Sequence, residues 1–247
     1  MQTCNPEVLA PMVRKLTRRS QLGPAEIEAV LKLPFRLASL HPSRYLVREG
    51  ETSESCALLL SGFAYRSKSA VGGARQILSI HLRGDMVDPQ GGLLGVADHS
   101  VQALTQVEVA MISRDALFAV ADAHPAVGRA LWRDTLVDGS IFREWILNLG
   151  QRDARQRISH LLCELTVRQE EAGLCAGPRY QWPMTQEQLG DATGLTSVHV
   201  NRTIQGLRRD GFIDTVGRSV SITDWPGLQR AGDFDRAYLH QAANAAA

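Results

Sequence analysis

The sequence predicts an α+β fold: an N-terminal antiparallel β-roll or jelly roll, one long helix, and a C-terminal winged helix-turn-helix. Three observations support this prediction. Short apolar runs separated by glycine turns fill residues 41–113, which is typical of small antiparallel barrels. No proline occurs between Pro125 and Pro178, where apolar residues recur with helical spacing. Residues 184–223 then show the pattern of two helices around a glycine turn, followed by two short strands.

The composition is that of an ordinary globular protein with no bias toward one class of partner. The 247 residues are 44% hydrophobic and 21% charged, and 27 Lys and Arg nearly balance 26 Asp and Glu. This length suits one large domain or two small ones. No uninterrupted apolar run approaches the roughly 20 residues of a membrane-spanning helix, and the N-terminus lacks the apolar core of a secretory signal. We therefore expect a cytoplasmic protein with no membrane partner.

The cysteines indicate neither a disulfide framework nor a metal site. Cys4, Cys56, Cys163 and Cys175 lie far apart and form no CxxC pair. The sequence thus supports neither a zinc ribbon nor a clustered iron–sulfur centre. We expect free thiols, no metal and no resident cofactor.

The N-terminal residues, up to about residue 38, are expected to be helical. Pro24 opens a segment whose apolar residues Ile27, Val30 and Leu31 fall on one face. The strands of the barrel are expected at runs rich in Val, Ile, Leu and Tyr: Tyr45–Val47, Ala57–Leu60, Ala64–Arg66, Gln76–His81, Val101–Leu104 and Val107–Ile112.

The long helix is expected to begin after Pro125 and to run for about 25 residues, beyond the globular mean of about 12. A helix of this length either packs on its own domain or pairs with a second copy, and Asp134 and Asp138 interrupt its heptad pattern. Its recurring apolar residues are Val127, Leu131, Val137, Ile141, Trp145 and Leu149.

These patterns predict four segments along the chain. Residues 1–123 form the N-terminal helices and the barrel, and residues 124–150 form the long helix. A hinge at 150–153 leads into the winged helix-turn-helix of residues 151–225, and residues 226–247 form a tail. Leu228, Phe234, Tyr238 and Leu239 suggest that the tail contains a short amphipathic helix that packs back on the preceding domain.

The helix-turn-helix carries the most specific local signals. Thr185 followed by Gln188 is a capping box that opens the first helix. Gly194 is expected in the left-handed turn at its end, and Thr196 is a good N-cap for the second helix. Two strands around Gly217 then predict a wing.

The exposed face of the second helix is predicted to read DNA. Arg202 can bind guanine O6 and N7, Asn201 can pair with adenine, and Val198 can contact a thymine methyl group. Residues 195–209 hold three Arg and no acid, although the motif as a whole has no broad basic patch. The alternative is a helical hairpin used only for packing. The predicted DNA-contacting residues are Thr185, Gln186, Ser197, Val198, His199, Asn201, Arg202, Gln205, Arg208, Arg209 and Arg218.

Together with Arg48–Glu51, Leu59–Gly62 and Arg83–Asp85, the segment Thr185–Ile213 resembles the Crp/Fnr family of bacterial transcription regulators. The resemblance covers about residues 30–223. It implies a homodimer formed through the long helix, double-stranded DNA with palindromic promoter sites as partner, and a ligand- or redox-sensing barrel. RNA polymerase is a further candidate partner, for which the sequence indicates no surface.

The barrel departs from the family members that bind cyclic nucleotides, which use a Glu for the ribose and an Arg for the phosphate in one cassette. No Glu occurs between Glu54 and Glu108, and no Arg between Arg83 and Arg114. A buried phosphate without its Arg loses a charge-assisted pair, so we expect no binding of cyclic AMP. The residues expected to line any effector pocket are Asp88, Gln90, His99 and Ser100.

Two other functions remain open at this point. The chain could be a regulator controlled by its abundance or by a protein partner, with no small-molecule effector. It could also be a cupin-like barrel enzyme, because His41, His81 and His99 lie in the predicted barrel. However, no HxH unit of the kind that gives cupins a metal site occurs, and we expect no enzyme.

Overall fold

The computed structural model describes residues 6–175 and 179–241. Cys4 and residues 242–247 lie outside these ranges. The chain divides into two compact units. One holds the residues up to Lys68 together with Ser79–Gly139, and the other holds Ser69–Leu78 and Ser140–Leu239.

Two helices, α1 (Pro6–Arg19) and α2 (Pro24–Leu31), open the first unit. Pro24 stands at the start of α2, where its fixed φ suits a helix and its missing N–H is not needed. Leu9, Met12 and Leu16 follow one another at helical spacing on α1, and all three are buried. They pack in one core with residues of the strands that follow, including Phe35, Leu58 and Ile112.

Eight strands form two antiparallel four-stranded sheets, in the orders β1-β8-β3-β6 and β2-β7-β4-β5. Leu59, Ala64, Val101 and Val109 pack together as a second buried core in this region. The predicted antiparallel roll is confirmed. The strands are β1 (Phe35–Leu40), β2 (Tyr45–Val47), β3 (Ser55–Ser61), β4 (Ala64–Ser69), β5 (Arg75–His81), β6 (Met86–Val87), β7 (Ser100–Ala103) and β8 (Val107–Ser113), with the short helix α3 (Gly91–Leu94) between β6 and β7.

The expectation of helix up to about residue 38 is wrong, because β1 begins at Phe35. This strand pairs along its whole length with β8, from Phe35 opposite Ile112 to Leu40 opposite Val107. The pairing partner lies more than 60 residues away in the sequence, so its hydrogen bonds leave no local signal.

After α4 (Arg114–Ala123), the long helix α5 runs from Pro125 to Gln151, 27 residues, as the sequence predicts. One side of α5 is buried within the chain, with Val127, Val137, Ile141 and Trp145 on it. The predicted repeat therefore marks the face of α5 that packs on its own chain. The opposite side leaves four large apolar residues exposed: Trp132, Leu136, Ile146 and Leu147.

The second unit is mostly helical and ends in a winged motif. Its three-stranded sheet has the order β10-β11-β9, so the predicted two-stranded wing has a third strand, in which Tyr180 lies opposite Val220. The elements are α6 (Ala154–Glu171), β9 (Arg179–Gln181), α7 (Gln186–Thr193), α8 (Ser197–Arg209), β10 (Ile213–Val216), β11 (Ser219–Ile222), α9 (Trp225–Gly232) and a 3₁₀ turn (Arg236–Leu239).

The predicted tail belongs to this second unit as far as Leu239. Leu228 and Leu239 are fully buried, and α9 packs on α6, where a Cβ at Gly232 would lie 2.6 Å from the main-chain nitrogen of His160. None of the helices within the described ranges is both long and apolar enough to span a membrane.

His160 on α6 is buried under this C-terminal segment. Its Nδ1 lies 3.1 Å from the Gly232 carbonyl oxygen, which can only accept, so Nδ1 carries the proton. Its Nε2 lies 3.1 Å from the Tyr238 hydroxyl. Desolvation by burial, together with the charge of Arg152, lowers the pKa of His160 against the opposing effect of Glu164 and Glu144.

The lowered pKa of His160 predicts a loss of stability in mild acid. In the unfolded chain His160 has an ordinary pKa near 6.5, so it binds a proton at a pH where the folded chain still leaves it neutral. The free energy of unfolding therefore falls as the pH drops below about 6.5. One proton limits this contribution to about 1.4 kcal/mol per pH unit. We expect chemical denaturation at pH 7.5 and 5.5 to show a smaller pH effect in His160→Gln than in the wild type. His41→Gln, at an exposed position, is the control, and equal pH effects in all three proteins would contradict the prediction.

Candidate nucleic-acid interface

The first helix of the motif, α7, starts with the predicted capping box. The Thr185 hydroxyl accepts from the Gln188 main-chain N–H at 3.2 Å, and the Gln188 side-chain oxygen accepts from the Thr185 N–H at 2.9 Å. Thr185 and Gln186 are both exposed. Remaining N–H groups at such a helix start have no partner within the helix and favour anions such as phosphate.

The turn between the helices depends on two glycines. Gly194 has φ +66° and ψ 34°, a left-handed conformation that strains other residues. Gly190 lies under the turn, where an added Cβ would come 2.4 Å from the carbonyl oxygen of Leu195. The Leu195 N–H in turn donates to the Gly190 carbonyl at 3.1 Å. A side chain at position 190 would therefore collide with the turn.

The second helix, α8, is capped by Thr196, whose hydroxyl accepts from the His199 N–H at 3.3 Å. Val200 and Leu207 face the core and are fully buried. The eight predicted contact residues on α8 are all exposed, as the sequence predicts: Ser197, Val198, His199, Asn201, Arg202, Gln205, Arg208 and Arg209.

Helical geometry divides the exposed residues of α8 into a central stripe and two flanks. At about 100° per residue, Val198, Asn201, Arg202 and Gln205 lie within one narrow sector. Ser197 and His199 lie on opposite sides of it. Val198 is 69% exposed, so a large apolar side chain stands in water next to polar groups that can pair with bases.

The arginine side chains of the motif differ in whether they have a partner within the chain. An Nη of Arg208 lies 3.7 Å from Asp214 of the wing, and another donates to Gln205 at 3.4 Å. Arg202 and Arg209 make no ion pair with any residue in the described ranges. Their charges are therefore available to an external partner.

The wing places Arg218 at its exposed tip. Gly217, with φ +59°, forms the turn between β10 and β11. The Arg218 carbonyl accepts from the Trp182 N–H at 2.8 Å, which joins the turn to the segment after β9. The backbone of the wing tip is thus fixed while the guanidinium points to solvent.

Two arginines near the start of α6 contact the ends of α7 and α8, and no pattern in the sequence predicts this role. Arg155 lies 2.6 Å from the carboxylate of Asp210 at the end of α8 and over the ring of Phe212. Arg157 donates to the Thr193 carbonyl at the end of α7, at 3.0 Å. Cations suit the C-terminal ends of helices, so α6 stabilises both helices of the motif at those ends.

The residues expected to line an effector pocket do not form one group. Asp88 is buried and bonded to the guanidinium of Arg114. The Ser100 hydroxyl accepts from the Glu49 N–H at 3.1 Å, and Gln90 precedes α3 and is half-buried. His99 is buried with Nδ1 2.7 Å from Asp98, while its Nε2 has no hydrogen-bond partner among the described residues. Asp88 and Ser100 therefore bond within the barrel.

The described cysteines, Cys56, Cys163 and Cys175, are free thiols. Burial raises the pKa of Cys56 and of Cys163 to about 12. Both are therefore protonated and unreactive at neutral pH.

Comparison with known proteins agrees with this architecture. Residues 156–231 match the family model of the Crp-like helix-turn-helix domain, and residues 37–124 match that of the cyclic nucleotide-binding domain. The chain is 30% identical to the transcriptional activator protein FnrL of Cereibacter sphaeroides over 200 residues, covering 79% of this chain and 80% of FnrL. It is 26% identical to the nitrogen fixation regulation protein FixK of Azorhizobium caulinodans, covering 89% of this chain and 87% of FixK.

Among solved structures, the fold is similar to that of FixK2 from Bradyrhizobium japonicum, with a TM-score of 0.72 and 24% sequence identity. The match covers 80% of this chain and 96% of FixK2. The relatives are transcription regulators, so the alternative of a cupin-like enzyme is wrong. With a roll, a long helix and a DNA-reading motif in this order, the chain belongs to the Crp/Fnr family of DNA-binding transcription regulators.

Proposed function

We propose that the protein binds palindromic promoter sites as a homodimer, with its two α8 helices in successive major grooves. The observation that carries this proposal is the exposed stripe of α8, because its side chains match the groups that base edges present there. Two-fold proteins read two-fold sites, with half-sites about one helical turn apart.

Within each half-site, the central stripe of α8 reads bases and the surrounding residues position the backbone. Arg202 binds guanine O6 and N7, Asn201 pairs with adenine, and Val198 contacts a thymine methyl group. Ser197, His199 and Gln205 contact base edges or phosphates, and the phosphate contacts come from Thr185, Gln186, Arg208, Arg209 and Arg218.

The dimer forms along the exposed side of α5. Trp132, Leu136 and Ile146 are 67%, 56% and 69% exposed, and they fit the alternating four- and three-residue spacing of a coiled-coil seam. Asp134, which interrupts the heptad in the sequence, instead pairs with Lys15 of α1 at 2.8 Å. Gly139 and Arg143 stand at the seam positions between Leu136 and Ile146. Large exposed apolar residues aligned on one side of a helix mark an interaction surface.

The barrel does not respond to cyclic nucleotides. Arg114, the first arginine after the cassette region, is buried and bonded to Asp88 and to the Ser53 carbonyl. It is therefore not available to a phosphate. Regulation then depends on an effector of other chemistry, for which His99 is the best placed contact residue of the barrel. The alternatives are control by the abundance of the protein or by a protein partner such as RNA polymerase. We propose that the protein acts in the cytoplasm without a membrane partner.

Selection from a random duplex pool tests this function. We expect a palindrome to be enriched, with half-sites centred about 10 base pairs apart. We also expect its affinity to be the same with and without millimolar cyclic AMP or cyclic GMP. Failure to enrich any sequence would contradict the DNA-binding proposal. A rise in affinity with either nucleotide would contradict the account of the barrel alone.

A further inference from the structure

The C-terminal segment Trp225–Leu239 lies beyond the wing, and the DNA-reading surface does not use it. It is nevertheless part of the interior of the second unit. Phe234 and Leu239 are buried, and the Phe234 ring packs edge-on against His160 at a centroid distance of 5.1 Å. Such burial requires that the segment has one fixed position on α6.

One buried carboxylate joins this segment to two helices. Glu164 of α6 is fully buried. Its Oε2 accepts from the Trp145 indole N–H at 3.0 Å and from the Tyr238 hydroxyl at 2.9 Å. Its Oε1 accepts from Arg168 at 3.1 Å. Trp145 belongs to the C-terminal part of α5 and Tyr238 to the C-terminal segment, so Glu164 bonds to both.

A second set of contacts joins the hinge to α5 and to the end of α9. Arg152, in the hinge, lies 2.7 Å from Glu144 of α5. Another Nη of Arg152 donates to the Asp233 carbonyl at 3.1 Å. Asp233 ends α9 in a left-handed conformation, with φ +46°, which directs its carbonyl group to Arg152.

These bonds restrict the angle between α5 and α6. A buried carboxylate is costly unless its hydrogen-bond partners are all in place. Because the C-terminal segment is packed on α6 and moves with it, rotation of α6 about the hinge would break the bond from Trp145 to Glu164 and separate Asp233 from Arg152. The loss of the Trp145 donor would leave the Glu164 carboxylate with one partner fewer. We propose that Trp225–Leu239 is a hinge clasp that fixes α6, and with it the winged motif, against the C-terminal end of α5.

The hinge clasp determines which half-site spacing the protein accepts. This inference rests on the proposed function, because spacing has a meaning only for a dimer on a palindrome. If α5 forms the dimer axis, the angle at the hinge sets the separation of the two α8 helices. A fixed angle then selects one spacing, and a loosened angle tolerates several.

Two variants remove a donor to Glu164. Tyr238→Phe keeps the ring and also removes the contact of the hydroxyl with His160 Nε2, whereas Trp145→Phe removes the indole N–H together with part of the ring. Tyr180→Phe is the matched control, because it removes a tyrosine bond to Glu170, of 2.7 Å, at an exposed place in the same unit. Affinities are measured for the selected palindrome, for palindromes with the centre changed by one or two base pairs, and for a single half-site.

For both clasp variants, we expect the ratio of the affinity for the selected spacing to that for the altered spacings to fall about fivefold or more. A change of this size corresponds to the free energy lost when a buried group loses one hydrogen-bond partner. Half-site affinity should stay within about twofold of the wild type. Tyr180→Phe should keep the full spacing preference. An unchanged spacing preference in both variants, or an equal loss of half-site affinity, would overturn the proposal.

Hydrogen exchange of the free protein gives a test without DNA. Amides of residues 150–154 and 225–239 should exchange faster in Tyr238→Phe and Trp145→Phe than in the wild type or in Tyr180→Phe. If the hinge amides keep their protection, the clasp does not hold the hinge. If the wild type instead shows no preference for a palindrome, the proposed function fails, and the exchange result still decides whether the clasp exists.

Discussion

Replacement of Arg202 with alanine should lower the affinity for the selected palindrome by roughly tenfold to a hundredfold per half-site. The guanidinium of Arg202 is exposed in the central stripe of α8. A bidentate contact with guanine discriminates by about 1–3 kcal/mol against the wrong base. The variant should therefore lose its preference at one guanine position, and a palindrome should lose the contact twice.

Arg218→Ala is the control, because Arg218 is proposed to contact a phosphate and not a base. Arg218 lies at the tip of the wing, and its loss should weaken all sequences alike and reduce the salt slope by about one unit per contact. The measurement is a binding series over single-base variants of the site at two salt concentrations. If Arg202→Ala lowered affinity uniformly and left the base preferences unchanged, Arg202 would be a phosphate contact and the proposed orientation of α8 would be wrong.

The helix-turn-helix could be predicted residue by residue because its signals are local. Each helix start is determined by a hydroxyl three residues from its partner, as at Thr185 and Thr196. The turn is determined by one left-handed glycine, Gly194. Caps and turns of this kind are recognisable within a few residues of sequence.

The barrel and the long helix depend on distant partners, and the sequence pattern is less informative there. β1 forms on β8, and the third strand of the wing forms on β11. On α5 the periodicity correctly predicts a helix. It does not show that Val137 and Trp145 face the chain's own core while Ile146 is exposed on the other side of the helix. Two apolar faces on one helix look alike until the partner of one is known.

The effector residues and the hinge clasp show a further limit. A polar residue such as Asp88 in a predicted loop is a candidate ligand contact, but Arg114, 26 positions later, binds it inside the barrel. Glu164 is one acid among many in the sequence, and its role depends on donors 19 and 74 positions away. Buried polar networks are specified by three-dimensional neighbours, so single-sequence analysis cannot find them.

A glutamate at Leu136 should prevent dimerisation and thereby abolish most binding to the palindrome. Leu136 lies in the exposed stripe of α5, and in a symmetric dimer the two copies of this residue meet near the axis. Two buried, unpaired carboxylates there would be strongly destabilising. Since linked half-sites gain several orders of magnitude over single ones, the affinity of Leu136→Glu for the palindrome should fall by about a hundredfold or more, toward that of one half-site.

Light scattering at micromolar concentration measures this loss directly. The wild type should have twice the mass of one chain, and Leu136→Glu should have the mass of one chain. Leu37→Glu is the matched control, because Leu37 is also a leucine of similar exposure, 53% against 56%, but lies on β1. It should remain a dimer and bind the palindrome normally.

A wild-type protein that stayed monomeric with and without DNA would contradict the dimer, whereas dissociation of both variants would place the interface elsewhere. Retained half-site binding by Leu136→Glu would show that the winged motif itself is intact, so the lost affinity must come from the lost second copy.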